Sequence, residues 1–145
     1  MTFCELKKED VKQITEFYQR NFPDGWTENM LLSAFDGGRF FAISAKDGER
    51  IIGIITFTIG LDDADIEGVV TDKDYRNCGV ASALIKLAEE KIAFFNIKKI
   101  LLEVRESNQS AKNLYIKSGF KSLFVRRKYY LDGENAVVMI KESVE

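Results

Sequence analysis

No histidine occurs anywhere in the 145 residues. Its absence excludes Ser-His-Asp and Cys-His nucleophilic systems and removes the commonest ligand of zinc and non-haem iron. Proton chemistry in this chain therefore falls to Asp, Glu, Tyr, Cys, Lys or bound water. Cysteine is scarce as well. Cys4 and Cys78 are too few for a disulfide framework, and neither sits in a CxxC or other metal-ligand spacing, so no metal site is expected. Two unpaired thiols fit a reducing cytosol better than a secreted life. The sole proline is Pro23, and no Pro/Gly/Ser-rich linker, repeat or low-complexity tract interrupts the chain, so one domain over residues 1–145 is expected. No apolar run approaches the roughly 20 residues that span a bilayer, and no basic segment followed by an apolar one opens the chain. A cytoplasmic protein with neither membrane span nor signal peptide is the expectation. Excess charge is missing too: a formal net charge of −2 argues against bulk binding to nucleic acid. Arg126, Arg127 and Lys128 form a local basic run that either attracts an acidic partner or is a solvated strand face.

What is present reads as ordinary and globular, with 46% hydrophobic and 30% charged residues in a chain long enough to bury one core. Thr2 to Leu6 suits a short strand. Val11, Ile14, Phe17 and Tyr18 recur at helical spacing within Lys8 to Arg20, and Thr27 opens a second helical pattern that runs to Phe35 before Gly37 and Gly38. Phe40 to Ala45 and Ile51 to Ile59 read as a hairpin about Lys46-Asp47-Gly48. Asp65 to Thr71 is a further strand. Ala81, Leu84, Ala88, Ile92 and Phe95 make one stripe of a helix over Gly79 to Phe95. Lys99 to Val104 is nearly continuous apolar sequence, which predicts a central strand buried on both faces. Asn108 to Ser118 reads as a helix closed by Gly119. Phe124 to Leu131 and Ala136 to Ile140 complete the chain as strands around Asp132-Gly133. Strand, helix, strand over Asp65 to Val104 predicts a parallel pair with a right-handed crossover, while the hairpins predict antiparallel neighbours. The fold class is α/β: a mixed, mostly antiparallel sheet with helices on both faces.

Three segments carry chemistry. Arg76-Asn77-Cys78-Gly79-Val80-Ala81 joins a strand to a helix whose first-turn N–H groups and partial positive charge suit a phosphate. Small residues at Gly79 and Ala81 would admit a pyrophosphate; the plain reading is a strand–helix turn. The missing Walker lysine speaks against a P-loop nucleotidase. In Leu101-Leu102-Glu103-Val104-Arg105, a carboxylate inside an apolar strand would lose hydration and gain basicity, unless it points to solvent or pairs with an arginine. One helix length later stands Tyr115, either a proton donor or simply a packed aromatic. Cys78 at a helix N-terminus has the position of a reactive thiol, but a pyrophosphate bound there would cover it.

Taken together these segments point to a family. Arg76-x-x-Gly79-x-Ala81 resembles the (Gln/Arg)-x-x-Gly-x-(Gly/Ala) loop of GNAT acetyltransferases. Leu102-Glu103-Val104-Arg105-x-Ser107-Asn108-x-x-Ala111-x-x-Leu114-Tyr115-x-x-x-Gly119-Phe120 looks like the ribosomal-protein alanine N-acetyltransferase (RimI-type) branch. Arg126-Arg127-Lys128-Tyr129-Tyr130, the strand over Ala136 to Met139, and Phe22-Pro23 followed by Trp26-Thr27-Glu28 extend the likeness over essentially the whole chain.

The resemblance implies an enzyme that moves an acetyl group from acetyl-coenzyme A to an amine, without a metal. Two parallel strands, Asp65 to Thr71 and Lys99 to Val104, would splay apart to admit the pantetheine arm. Main chain at Val69, Val70 and Thr71 would hold that arm. Arg76 and the turn Asn77, Cys78, Gly79, Val80, Ala81 and Ser82 would hold the pyrophosphate, and Asn108 would face the coenzyme. Glu103 would be the general base and Tyr115 the general acid.

The implied acceptor is the N-terminal α-amino group of a protein such as a small-subunit ribosomal protein. Lysine side chains and small amines (a polyamine, an antibiotic, an amino acid) are the alternative, and a non-catalytic coenzyme A-binding module a further one. Nucleic acid and membrane partners are not expected, and the molecule is expected to be a monomer or weak dimer. Departures from the branch fall on the acceptor side: Asp24-Gly25 is inserted before Trp26, the last strand–strand loop is short with Glu134-Asn135, and Glu67 and Gly68 replace the usual residues.

Overall fold

These periodicities resolve into seven strands and four α-helices in a computed structural model that describes residues 1–143. In chain order they are β1 (Thr2–Leu6), α1 (Val11–Asn21), α2 (Glu28–Asp36), β2 (Phe40–Asp47), β3 (Arg50–Ile59), β4 (Asp63–Thr71), α3 (Val80–Phe94), β5 (Lys99–Arg105), α4 (Gln109–Lys117), β6 (Lys121–Arg126) and β7 (Ala136–Glu142). One sheet in the order β1-β2-β3-β4-β5-β7-β6 holds all seven strands. Its single parallel pair is β4 and β5, joined through α3. The mixed, mostly antiparallel sheet with helices on both faces is thus as the sequence reads.

The helical stripes are the buried faces. Val11, Ile14, Phe17 and Tyr18 of α1 pack with Leu31 of α2 onto Phe40, Ala42, Ile51 and Ile54. On the other face Leu84, Ile85, Ala88 and Ile92 of α3 meet Ile55, Phe57, Ile66, Leu102 and Met139. Local chemistry sets the helix ends. The Thr27 hydroxyl accepts from the Met30 N–H at 3.3 Å, and the Asn108 carbonyl oxygen accepts from Ala111 N–H at 3.1 Å. Gly119, just past α4, takes φ +100°, a conformation costly for any side chain.

Gly53 of β3 matters for the opposite reason: closeness. A Cβ there would stand 2.7 Å from Val80 Cγ1 and 3.1 Å from Leu84 Cδ1, so α3 rests directly on the strand backbone. Gly53→Ala is expected to lower stability by about 1–3 kcal/mol, as overpacking does. Urea unfolding should show a lower midpoint at unchanged slope.

Two expectations fail. β5 is central but not buried on both faces. Ile100, Leu102 and Val104 are buried, whereas Lys99 and Glu103 are exposed. The reason is that α1 and α2 cover β1 to β3 and leave that face of β5 open. The strand expected over Phe124 to Leu131 instead runs Lys121–Arg126. Lys128 adopts φ +50°, and the chain turns through Tyr130 N–H to Glu134 O (3.2 Å) and Gly133 N–H to Tyr130 O (2.8 Å). Aromatic and β-branched content marks the segment as a strand, but its tyrosines are drawn instead towards β5.

The feature that positions the site is a divergence. β4 and β5 pair only from Asp63↔Lys99 to Ile66↔Leu102. At that point β4 carries a bulge: Ile66 faces Phe57 and Gly68 faces Thr56, with Glu67 as the extra residue. A bulge bends its strand and sharpens the local twist. Beyond it, Gly68 to Thr71 stay paired with β3 on one side and turn an open edge towards β5.

Candidate active site

Past the open edge the chain reaches the turn before α3. The Asp72 carboxylate locks it, accepting from Asp74 N–H at 2.9 Å and from Arg50 at 2.8 Å. Burial works to raise the Asp72 pKa, but these bonds outweigh it and hold the group below the usual range. Asn77 takes φ +62° and Gly79 φ +80°, which brings the chain sharply into α3. Gly79 is the N-cap and supplies no side chain to the first turn, and a Cβ at Gly79 would meet nothing within 4 Å. The N–H groups of the first turn, in Val80, Ala81 and Ser82, therefore have no side-chain cap at the positive end of a 15-residue helix. Arg76, Asn77 and Cys78 are exposed around it. This cradle has room and polarity for a pyrophosphate.

Val69 and Val70 send their side chains into opposite cores, so it is the backbone of Val69 to Thr71 that meets the gap. Asn108 lies at the carboxyl end of β5, on the same side of the sheet as the cradle. Its side-chain oxygen is used in capping α4, which leaves the amide nitrogen as the group available to a ligand.

Glu103 stands on the uncovered face of β5, its side chain 33% exposed and 3.6 Å from Arg126 Nε. The burial anticipated for it is not found, and the arginine pairing is. Tyr129 donates its phenol to Glu103, and this bond together with the carboxylate's charge holds the phenol pKa up. Tyr130 lies under the Arg105 guanidinium, 4.1 Å from ring centre to Cζ. Burial first, then the charge of Glu103, raises the Tyr130 pKa. Glu134 fixes the whole loop, with one oxygen on Ser107 N–H (2.8 Å) and the other on Arg105 (3.0 Å). Those bonds hold its pKa below the ordinary value. Asp65 faces the same side; burial, then Asp63, Glu67 and Glu103, push its pKa up. A positively charged amine approaching this face meets a concentration of carboxylates.

The sequence profile of the acetyltransferase (GNAT) family matches residues 11–120, a span that contains the cradle, the gap, Glu103 and Tyr115. The chain belongs to the GNAT acetyltransferase family. It is accordingly an acetyl-coenzyme A-dependent N-acetyltransferase. It is 29% identical to an uncharacterised N-acetyltransferase of Methanocaldococcus jannaschii over 99% of this chain and 92% of that one. It is 28% identical to the ribosomal protein bS18-alanine N-acetyltransferase of Escherichia coli K12 over 95% of each. The crystal structure of the Escherichia coli ribosomal-protein-S18-alanine N-acetyltransferase superposes with a TM-score of 0.88 at 27% identity, covering 99% of this chain and 95% of that one. No helix among the described residues is long and apolar enough to cross a membrane.

In this GNAT acetyltransferase the expected site residues divide into two groups. Val69 to Thr71, Arg76 to Ser82 and Asn108 gather at the carboxyl ends of the parallel strands, where α/β sheets commonly take ligands. Glu103 flanks the same gap. Tyr115 is the outlier: it is buried (6% exposed) and set edge-on against Phe120. Burial, with a smaller effect of Tyr130, pushes its pKa up to about 12.

The sequence pattern missed how Arg105, Arg126, Tyr129, Tyr130 and Glu134 converge on Glu103. Two adjacent tyrosines after paired arginines were the available signal, hidden by the strand reading. Before α2, Trp26 packs against Phe40 and donates to Thr56 Oγ1 at 3.2 Å. The inserted Gly25 lies so close to Phe22 and Tyr18 that a Cβ would be within 2.9 Å of both rings. A cleft of about 250 Å³ between Trp26, Arg39, Phe40 and Thr58 shares Glu67 with the carboxylate face.

The buried tyrosine has a consequence for stability. Its folded pKa, about 12, lies above the ordinary value of 10.0. Its contribution is therefore complete below pH 10 and is lost as pH rises towards 12, on the order of 3 kcal/mol. Tyr18, driven further the same way by burial against a weaker opposing bond from Thr56, adds to the loss. The denaturation midpoint should fall steeply above pH 10, and less steeply in Tyr115→Phe.

Proposed function

We propose that the chain acetylates the N-terminal α-amino group of a protein, with Glu103 as general base and Tyr115 as the donor to the leaving sulfur. One observation carries the reading: the β4–β5 gap opens between a helix N-terminus that no side chain caps and a carboxylate, Glu103, held on its uncovered flank. Acetyl-CoA supplies the acyl group already activated as a thioester. The α3 first turn holds its pyrophosphate, and the open edge of Gly68 to Thr71 holds its arm in the manner of an added strand.

An amine attacks only when neutral, so Glu103 removes its proton, directly or through one water. Tyr129 and Arg126 orient that carboxylate, and Asp65 and Glu67 draw the cationic amine in. No covalent bond to the enzyme is needed, which suits a chain without histidine. The choice of a protein N-terminus, and of a ribosomal protein among these, is supported by full-length similarity to the bS18-alanine enzyme.

The test is coenzyme A release from acetyl-CoA with three acceptors: a peptide beginning with free Ala, its N-terminally blocked twin containing lysine, and polyamines. Turnover confined to the free N-terminus is expected. Turnover on lysine or polyamine would leave the acetyltransferase and remove the proposed acceptor. Tight acetyl-CoA binding with no turnover on any of them would turn the search to other acceptors or to a binding module.

A further inference from the structure

Gly79 permits the left-handed turn before α3 but does not hold it, since glycine is free to adopt many conformations. The support comes from outside the residues assigned to the coenzyme. Asp47 and Arg50 stand opposite one another where the β2–β3 hairpin turns, and both reach the chain that leaves β4. Arg50 Nη2 donates to Asp72 Oδ2 at 2.8 Å and to Asp74 Oδ2 at 3.2 Å. Tyr75 donates its hydroxyl to Asp47 Oδ2 at 2.7 Å, and its ring centre lies 5.5 Å from Arg50 Cζ. Between these anchors runs a single 3₁₀ turn, Lys73–Tyr75. It closes on Asp72 through Asp74 N–H to Oδ1 and Tyr75 N–H to the carbonyl oxygen, both at 2.9 Å.

We propose that Asp47, Arg50, Asp72 and Tyr75 are positioning residues, a clamp through which the β2–β3 hairpin sets the cradle before α3 and with it the affinity for acetyl-CoA. The inference rests on the reading that the first turn of α3 holds the pyrophosphate.

The bonds of the clamp are unequal. Asp74 and Arg50 are both well exposed to water, and their pair contributes little. The Asp72 side chain is only 4% exposed, so Arg50 neutralises a charge that water barely reaches. Without Arg50 that carboxylate keeps the Asp74 N–H as its hydrogen-bond partner, and the turn gains by swinging it out to solvent. Arg76 follows Tyr75 directly, so the displacement passes to the segment Arg76 to Gly79 that leads into the α3 N-terminus. The helix itself is held from behind, where Val80 and Leu84 rest on Gly53. Strand β3 thereby carries both supports, Gly53 under the helix and Arg50 beside the turn. A cradle held in shape before the ligand arrives binds it without an ordering cost, and a loosened one loses that advantage.

Calorimetric titration of the full chain with acetyl-CoA is the test, with urea midpoints measured alongside. Arg50→Met should weaken binding about 10–100-fold, the range of a hydrogen bond to a charged group. Arg50→Lys should recover most of the loss, because a single nitrogen makes both Arg50 bonds and an ammonium can take its place. Tyr75→Phe, which keeps the ring and removes only the bond to Asp47, should weaken binding by a smaller factor and keeps the test open if Arg50→Met fails to fold. Ile14→Val, in the core under α1, should lower the midpoint and leave affinity alone, while Gly79→Ala in the cradle should weaken binding. Unchanged affinity in Arg50→Met and Tyr75→Phe beside a loss in Gly79→Ala would overturn the clamp and leave the cradle standing. Unchanged affinity in all three would overturn the clamp together with the cradle. A loss in Arg50→Met that Arg50→Lys does not recover, or that Ile14→Val shares at an equal midpoint, would also overturn the clamp.

Discussion

Glu103→Gln is expected to lower kcat/KM for an Ala-initiated peptide by about 10²–10⁴-fold at neutral pH, the range a positioned general base contributes. The amide keeps the shape of the side chain and an oxygen to accept from Tyr129, so the loss is confined to proton removal and to the ion pair with Arg126. Acetyl-CoA affinity, measured by calorimetry, should not change, because the cradle at Gly79 to Ser82 and the β4 edge are separate elements.

The pH profile separates a base from a mere electrostatic attractor. An α-amino group titrates near 7.7–8.0, so at pH 9 and above most of the acceptor is neutral without help. The variant should regain most of its loss there if Glu103 removes the proton. A uniform deficit across pH would assign the carboxylate to acceptor binding, and a loss below tenfold at pH 7 would end its candidacy as base.

Legibility in the sequence followed the range of the interactions. α1 and α3 were readable because Val11, Ile14, Phe17 and Leu84, Ala88, Ile92 repeat a local period that burial then enforces. The turn at Arg76 to Ala81 was readable because Gly79 answers a local backbone demand, φ +80°. The parallel pair followed from strand–helix–strand order alone. Exposure of Glu103 was not readable: the run Leu101 to Val104 looks buried on both faces, and only the lateral extent of α1 and α2 decides otherwise.

Nor was the loop over Arg127 to Asn135 readable. Its shape is set by side chains finding partners 27 and 29 positions away, Asp132 and Glu134 on Arg105, against a local strand propensity. The bulge at Glu67 belongs to the same class, since it exists only relative to Thr56 and Phe57 on a neighbouring strand. The surroundings of Glu103 are a matter of such long-range contacts, while the turn before α3 is local.

Tyr115→Phe is expected to lower kcat by about 10–100-fold, less than a full general acid would lose. The argument rests on where its pKa lies. A phenol at about 12 remains protonated at neutral pH and can always donate. A free thiol titrates near 8.5, so complete transfer of the phenolic proton to a leaving thiolate runs about 3.5 units uphill, close to 5 kcal/mol. Transfer on that scale would limit turnover, whereas a hydrogen bond to a developing charge contributes about 1.5–3 kcal/mol without moving the proton. On the proposed mechanism Tyr115 would therefore stabilise the leaving sulfur as a donor, with the proton that finally neutralises the thiolate coming from solvent.

Phenylalanine preserves the packing against Phe120, so the fold should survive and KM for acetyl-CoA should hold. The signature is a kcat loss that stays constant from pH 6 to pH 10, because nothing in Tyr115 titrates in that interval. A loss of 10³-fold or more, or one growing with pH, would show that the proton does move and that acyl-donor binding brings the phenol's pKa down.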